Sequence, residues 1–148
     1  MADRPSYEIG PRRYVESVEA AVDPVRPSIL LADDDDRFRT ILRSLLEDDG
    51  YTVVAEACDA HETRAMARLH RPDVVILDLV MDGSHGLSTA RELLADDPGR
   101  PVVVISTLFD PTLEQEAVRM GAWYLEKVEG VEALEHLITD AVSVTRRS

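Results

Sequence analysis

The chain has 148 residues, with 29 acidic against 16 basic side chains and a formal net charge of −13. Its apolar fraction of 45% is enough for a packed core, so the acidity does not imply disorder. The length suits one compact domain with a tail, and the charge excludes broad contact with nucleic acid or an anionic membrane, which needs clustered Lys and Arg.

Residues 1–27 form an N-terminal extension with prolines at 5, 11, 24 and 27. Between them, Tyr14, Val15, Val18, Ala21 and Val22 form one stripe of a helix over about 12–22. The extension holds five acids and four bases, so residues 28–148 hold the remaining 24 and 12. The acidity therefore belongs to the domain. From Ser28 onward strands and helices alternate. Ile29-Leu30-Leu31-Ala32 reads as a buried strand. A helix follows with Phe38, Ile41, Leu42, Leu45 and Leu46 inward, ended by Gly50. Tyr51 to Ala57 is the second strand. Asp59 and Glu62 resemble a capping box for a helix to about His70. Asp73 to Leu77 is the third strand, and a loop with Gly83 and Gly86 leads to a helix marked by Leu87, Ala90, Leu93 and Leu94. Pro101 to Ile105 is the fourth strand. Asp110-Pro111 caps a fourth helix that Gly121 closes. Trp123 to Lys127 is the fifth strand, and Val131, Leu134, Leu137, Ile138 and Ala141 mark a last helix.

Five βα units in the 121 residues from Ser28 argue for an α/β fold, a parallel sheet covered on both faces. Sites in such doubly wound sheets gather at the carboxyl ends of strands. There the sequence places Asp33-Asp34-Asp35-Asp36 after the first strand and Asp78 after the third. Ser106-Thr107 follows the fourth, and Lys127 closes the fifth. A lone cysteine, Cys58, forms no internal disulfide and points to a reduced compartment. The amino terminus lacks a signal peptide's apolar region, and no apolar run approaches bilayer-spanning length, so a cytoplasmic protein is expected.

This set resembles the receiver domain of response regulators in two-component signalling, over about residues 28–146. The matching stretches are Ile29 to Asp36, Pro72 to Met81 with Gly86, Val104-Ile-Ser-Thr107, and Gly121-Ala-Trp-Tyr-Leu-Glu-Lys127. Val53-Val-Ala-Glu-Ala57 and the absence of proline after Lys127 make it most similar to receivers of helix-turn-helix regulators. The resemblance implies a flavodoxin-like (βα)5 fold with strand order 2-1-3-4-5, over residues 28–148. In the family the acidic pair directly follows the strand, and the helix's first buried side chain comes four residues after the second acid. Taking Asp33 and Asp34 as the pair places Phe38 there with Ile41 and Leu42 inward. A shift by one would put Arg39 in the core.

The resemblance also implies the chemistry. Asp34, Asp78 and the backbone carbonyl of Val80 would ligate Mg²⁺, with Asp33 acting mainly through water. Asp78 would be the nucleophile that accepts a phosphoryl group from a histidine kinase or phosphotransfer protein. Lys127 would neutralise charge on the transferred oxygens, and Ser106 would hydrogen-bond the new phosphoryl group. Tyr124 would be the switch aromatic, with Trp123 the alternative in a register one residue shorter than usual. The fourth helix, fifth strand and fifth helix would form the output surface for a partner protein, with a homodimer also open. Within the family pattern Thr107 replaces a small residue and Glu126 an apolar one. The protein would be no enzyme toward external substrates. The final helix closes the 148 residues, so the protein is expected to act through protein contact or to be the receiver part of a longer regulator.

Two rivals remain. An Mg²⁺-dependent phosphohydrolase would use a D-x-D pair, Asp33 with Asp35 or Asp34 with Asp36, but leaves Asp78 without a role. A receiver-shaped interaction module that is never phosphorylated would leave the whole acid set without a role. Segment 12–22 has three roles open to it: packing on its own domain, pairing in a dimer, or binding a partner.

Overall fold

The computed structural model describes residues 26–81, 84–107 and 109–147. The helix expected over 12–22 lies outside the described residues. The elements run β1 (Ser28–Ala32), α1 (Asp36–Asp48), β2 (Thr52–Ala57), α2 (Ala60–His70) and β3 (Val74–Asp78). Next come a short antiparallel ladder of Val80–Met81 with Ser84–His85, and α3 (Gly86–Asp96). The chain then continues through β4 (Val102–Ser106), α4 (Pro111–Arg119), β5 (Trp123–Glu126), a 3₁₀ turn (Lys127–Glu129) and α5 (Gly130–Arg147).

The five strands form one parallel sheet in the order β2-β1-β3-β4-β5, the topology the resemblance implied. The three central strands are continuous apolar runs because helices cover both their faces. β2, at one edge, alternates exposed or half-buried with buried positions. On one side of the sheet Ala67, Ala90, Leu93 and Ala117 of α2, α3 and α4 pack over Leu30, Val75, Leu77 and Val104. On the other, Leu42 and Leu46 of α1 and Leu134 and Ile138 of α5 pack over Ile29, Leu31, Ile76 and Ile105. Small alanines serve the first side, where three helices crowd one sheet face. Aliphatics serve the second, where two helices must fill the same width.

Caps set the helix starts. The Asp35 carboxylate accepts from the Arg37 and Phe38 amides at 3.0 and 3.2 Å, and the Asp110 carboxylate accepts from Thr112 and Leu113 at 3.0 and 3.2 Å. At α2 the reciprocal pair is displaced by one residue. Asp59 accepts from the Glu62 amide at 2.7 Å, but Glu62 accepts from the amide of Cys58 at 2.8 Å rather than from that of Asp59. Gly50 and Gly121 close α1 and α4 with φ of +95° and +96°, which only glycine adopts without strain.

One expectation fails in α1. Ile41 is 60% exposed and Leu45 is 42% exposed, so neither is inward. The helix rests on the sheet along a narrow i, i+4 stripe of Phe38, Leu42 and Leu46, and the flanking residues overhang the gap toward α5. Arg39, on the other flank, is not in the core but is largely covered. It pairs with Glu56 of β2 at 2.6 Å and with Asp36 at 2.7 Å.

Candidate functional site at the carboxyl edge of the sheet

β1, β3 and β4 end side by side at one edge. The register pairs Ala32 with Leu77 and Asp78 with Ile105, so Asp33, Asp78 and Ser106 emerge at neighbouring levels. Asp33 and Asp78 are buried, at 3% and 6% exposure, while Asp34 is exposed. Carboxylate oxygens of these three residues lie within 4.8 Å of one another. Lys127 reaches into the same point from the end of β5. Its ammonium lies 2.9 Å from Asp33 Oδ2 and 3.3 Å from Asp78 Oδ1. It also sits 4.1 Å from the centroid of the Phe38 ring, a cation–π contact that helps hold an otherwise flexible chain.

Backbone and side-chain bonds fix the acids. The Asp33 amide donates to the Ala57 carbonyl at 3.0 Å, and Asp33 Oδ1 accepts from the Asp35 amide at 2.9 Å. Arg39 donates to the Asp33 carbonyl oxygen. The Leu79 amide donates to the Ile105 carbonyl at 2.8 Å, which ties the turn after Asp78 to β4. Gly86 makes the closest approach. Its amide donates to the Leu79 carbonyl, and a Cβ on Gly86 would lie 2.7 Å from that oxygen and 2.9 Å from Leu79 Cα. Only glycine fits there.

The charges interact strongly. Burial, then the neighbouring Asp33 charge, push the Asp78 carboxyl up to about 6, against the opposing pull of Lys127, and Asp34 adds to the push. Burial alone would lower the pKa of the Lys127 ammonium, but its bond to Asp33 and the Asp78 charge outweigh that and raise it. The Asp78 shift has a definite sign for stability. The folded state binds a proton more tightly than the unfolded chain, so stability falls as pH rises from the ordinary aspartate range through about 6. The Lys127 shift has the same sign but acts far above neutrality: its contribution is complete below the ordinary lysine range and is lost as pH rises through the raised folded value.

Three carboxylates facing one ammonium offer only oxygen donors to a cation, a donor set that fits a hard divalent ion such as Mg²⁺. Asp35 and Asp36 do not join it. Asp35 is engaged as the α1 cap and Asp36 pairs with Arg39, so neither D-x-D spacing assembles at this point. Val80 is exposed, two residues beyond Asp78 in the short ladder with His85. Ser106 is buried at the end of β4. Tyr124 lies opposite Val104 in the register and packs with it on the α2–α4 side, the side Ser106 faces two residues beyond Val104. Trp123 packs on the other side of the sheet. Thr107 is exposed, and the half-buried Glu126 donates its amide to Glu129 at 3.1 Å. Sequence reasoning missed Arg39 and the ring of Phe38 as supports of the acids and the lysine. No spacing signal marks either. Gly86 was visible as a loop glycine, but the contact that demands it was not.

A parallel sheet of this order with an acidic cluster and a lysine at its carboxyl edge defines a receiver. The chain belongs to the response regulator receiver domain family, whose pattern matches residues 29–139. It is 35% identical over 116 residues to the transcriptional regulatory protein PdtaR of Mycobacterium tuberculosis, covering 78% of this chain and 56% of that protein. It is 34% identical over 112 residues to the response regulator GacA of Pseudomonas aeruginosa, covering 74% of this chain and 52% of GacA. The chain thus spans about half the length of these relatives. Among solved structures it resembles a LuxR-family two-component response regulator from Aurantimonas sp. SI85-9A1. That match has a TM-score of 0.67 and 27% identity over 83% of this chain and 99% of that one. The receiver domain of the putative response regulator NarL from Mycobacterium tuberculosis gives a TM-score of 0.65 and 26% identity over 84% and 96%. No helix among the described residues is long and apolar enough to cross a membrane.

Proposed function

We propose that this receiver accepts a phosphoryl group on Asp78 from a phosphohistidine of a kinase or phosphotransfer partner, in the cytoplasm and with Mg²⁺. The unit that does so is residues 28–148, with 1–27 as an extension. The observation that carries the reading is the convergence of Asp33, Asp34, Asp78 and Lys127 at one strand edge, two of the acids buried. Burying like charges costs stability, and a fold retains such a cluster where a cation and a transferred anion use it.

Asp34, Asp78 and the Val80 carbonyl would hold the metal, with Asp33 acting mainly through water. When bound, the ion supplies charge neutralisation for the phosphoryl oxygens. The chain's residues do the rest. An Asp78 carboxylate oxygen attacks phosphorus, the P–N bond breaks with its electrons leaving on the imidazole, and an acyl phosphate forms. Lys127 shifts from balancing Asp78 to pairing with the phosphoryl group while keeping Asp33. Ser106 donates its hydroxyl proton to a phosphoryl oxygen, and Tyr124, on the same side of the sheet, follows that movement. The α4-β5-α5 face then presents an altered surface to an output protein, an output domain or a second copy. Apart from its own phosphorylation and dephosphorylation the domain catalyses nothing.

Incubation with acetyl phosphate and Mg²⁺, followed by intact mass measurement, tests this. One phosphoryl adduct, absent without Mg²⁺ and absent in Asp78→Ala, is expected. An adduct that survives in Asp78→Ala, or none with any small donor or histidine kinase, overturns the reading.

A further inference from the structure

β5 is an edge strand of the sheet, and a cavity of about 570 Å³ wraps its amino-terminal end between α4 and α5. That is the amino edge of the sheet, away from the acids at the carboxyl edge. Leu94, Val118, Trp123, Leu137 and Val144 supply apolar walls, and Arg100, in the loop from α3 to β4, supplies a cationic one. The volume lies within the range of about 300–1,000 Å³ typical of small-molecule sites. Val118 and Val144 stand 60% and 52% exposed. Their apolar surface would be taken out of water by an occupant.

Arg100 is the unusual wall. It is only 9% exposed, and its Nε is buried without a hydrogen-bond partner. Asp97 Oδ2 lies 3.9 Å from its Nη1, beyond hydrogen-bond length, while Asp97 Oδ1 is taken by the Gly99 amide at 3.1 Å. A guanidinium drawn out of water with no close acceptor costs stability. Its planar fork of N–H donors matches a carboxylate, which accepts two of them in parallel. Glu114 of α4 also lines the cavity, but it forms no ion pair with Arg100 among the described residues. It leaves the guanidinium open and repels an anion from the α4 wall.

We infer that this cavity binds a small organic carboxylate with an apolar body. The carboxylate seats on Arg100, and the body lies along Val118, Trp123, Leu137 and Val144. Glu114 fixes that polarity, because a carboxylate turned toward α4 would meet a like charge. Tyr124 lines the same cavity, so an occupant bears on the ring that the phosphoacceptor reading makes its switch aromatic. The site would give the receiver a small-molecule input at the end of the sheet opposite Asp78. Binding itself rests on the cavity and Arg100, so it stands whether or not Asp78 is phosphorylated.

Titration of the full chain, without a phosphodonor, tests it. Octanoate is the probe and octanamide its neutral isostere. Trp123 is the only tryptophan in the sequence, so its emission reads the cavity. Octanoate should shift that emission to the blue and saturate, binding at least about tenfold more tightly than octanamide, the margin of a charge-assisted contact. Amide chemical shifts should move at Gly99 and Gly121, both on the cavity wall, and stay in place along α1. Arg100→Met keeps an apolar stem and should bring octanoate down to the affinity of octanamide. Val118→Glu alters an exposed lining position and should weaken octanoate, but not octanamide, by at least about threefold. That second variant gives a readout even if Arg100→Met fails to fold. Equal binding of the two probes overturns the inference, as does an Arg100→Met variant that keeps the preference for octanoate. So does the absence of saturation, which would assign the cavity to water alone, or a set of shifts centred on α1, which would place the probe elsewhere.

Discussion

Asp78→Asn isolates the cost of the acidic site. Asparagine keeps the shape and removes the charge. In the metal-free folded state the Asp78 carboxyl titrates near 6 because burial and Asp33 outweigh Lys127. Each pH unit between folded and unfolded titrations corresponds to about 1.4 kcal/mol. At neutral pH the ionised Asp78 therefore costs about 3 kcal/mol relative to its neutral form. Asparagine loses the charge-assisted contact with Lys127, although Asp33 retains that partner at 2.9 Å, so the recovered stability is about 1–3 kcal/mol. For a domain of this size that corresponds to about 2–4 °C in melting temperature per kcal/mol. The assay is thermal or urea unfolding in chelator at pH 7.5 and at pH 4. Asp78→Asn should be more stable than wild type at pH 7.5, with the gap closing as pH falls through 6 toward 4, where wild-type Asp78 becomes protonated. Millimolar Mg²⁺ should narrow the gap from the other side by stabilising wild type more than the variant. A variant less stable than wild type at pH 7.5, or a gap independent of pH, would refute the electrostatic reasoning.

Three further perturbations follow from the same geometry. Lys127→Met leaves Asp33 and Asp78 facing each other without their shared ammonium, so chelator-treated protein should lose about 2–4 kcal/mol at neutral pH and less at pH 4, as read by urea unfolding. Gly86→Ala drives a Cβ to 2.7 Å from the Leu79 carbonyl, so the turn after Asp78 must shift. A loss of more than about 1 kcal/mol is expected in urea unfolding, together with slower acetyl phosphate labelling. Asp110→Ala removes the acceptor for two amides at the start of α4 and should cost about 1 kcal/mol in thermal unfolding without changing Mg²⁺ affinity.

The strands and the site were legible in the sequence for one shared reason, while the strand order came from the resemblance to receivers. Buried parallel strands must be continuous apolar runs, so Ile29–Ala32, Val74–Leu77 and Val102–Ile105 announce themselves, and the polar residue that ends each run marks the sheet's carboxyl edge. Asp33, Asp78, Ser106 and Lys127 could therefore be placed together from their positions alone. Caps were legible for a similar reason, because an Asp before a helix satisfies amides only one to three residues away. What tertiary structure decided depends on how elements lean on one another. The inward pattern of α1 reads as five residues on a helical wheel, yet only Phe38, Leu42 and Leu46 meet the sheet, and Ile41 and Leu45 are left on the rim. Packing also sets the Lys127 ammonium over the Phe38 ring, a contact between residues distant in sequence, and turns Arg39 back onto the Asp33 carbonyl. The demand for glycine at 86 arises because α3 starts against the backbone of Leu79, a packing distance that no local pattern encodes. Sequence alone thus determined which groups reach the edge, and packing determined how tightly they are held there.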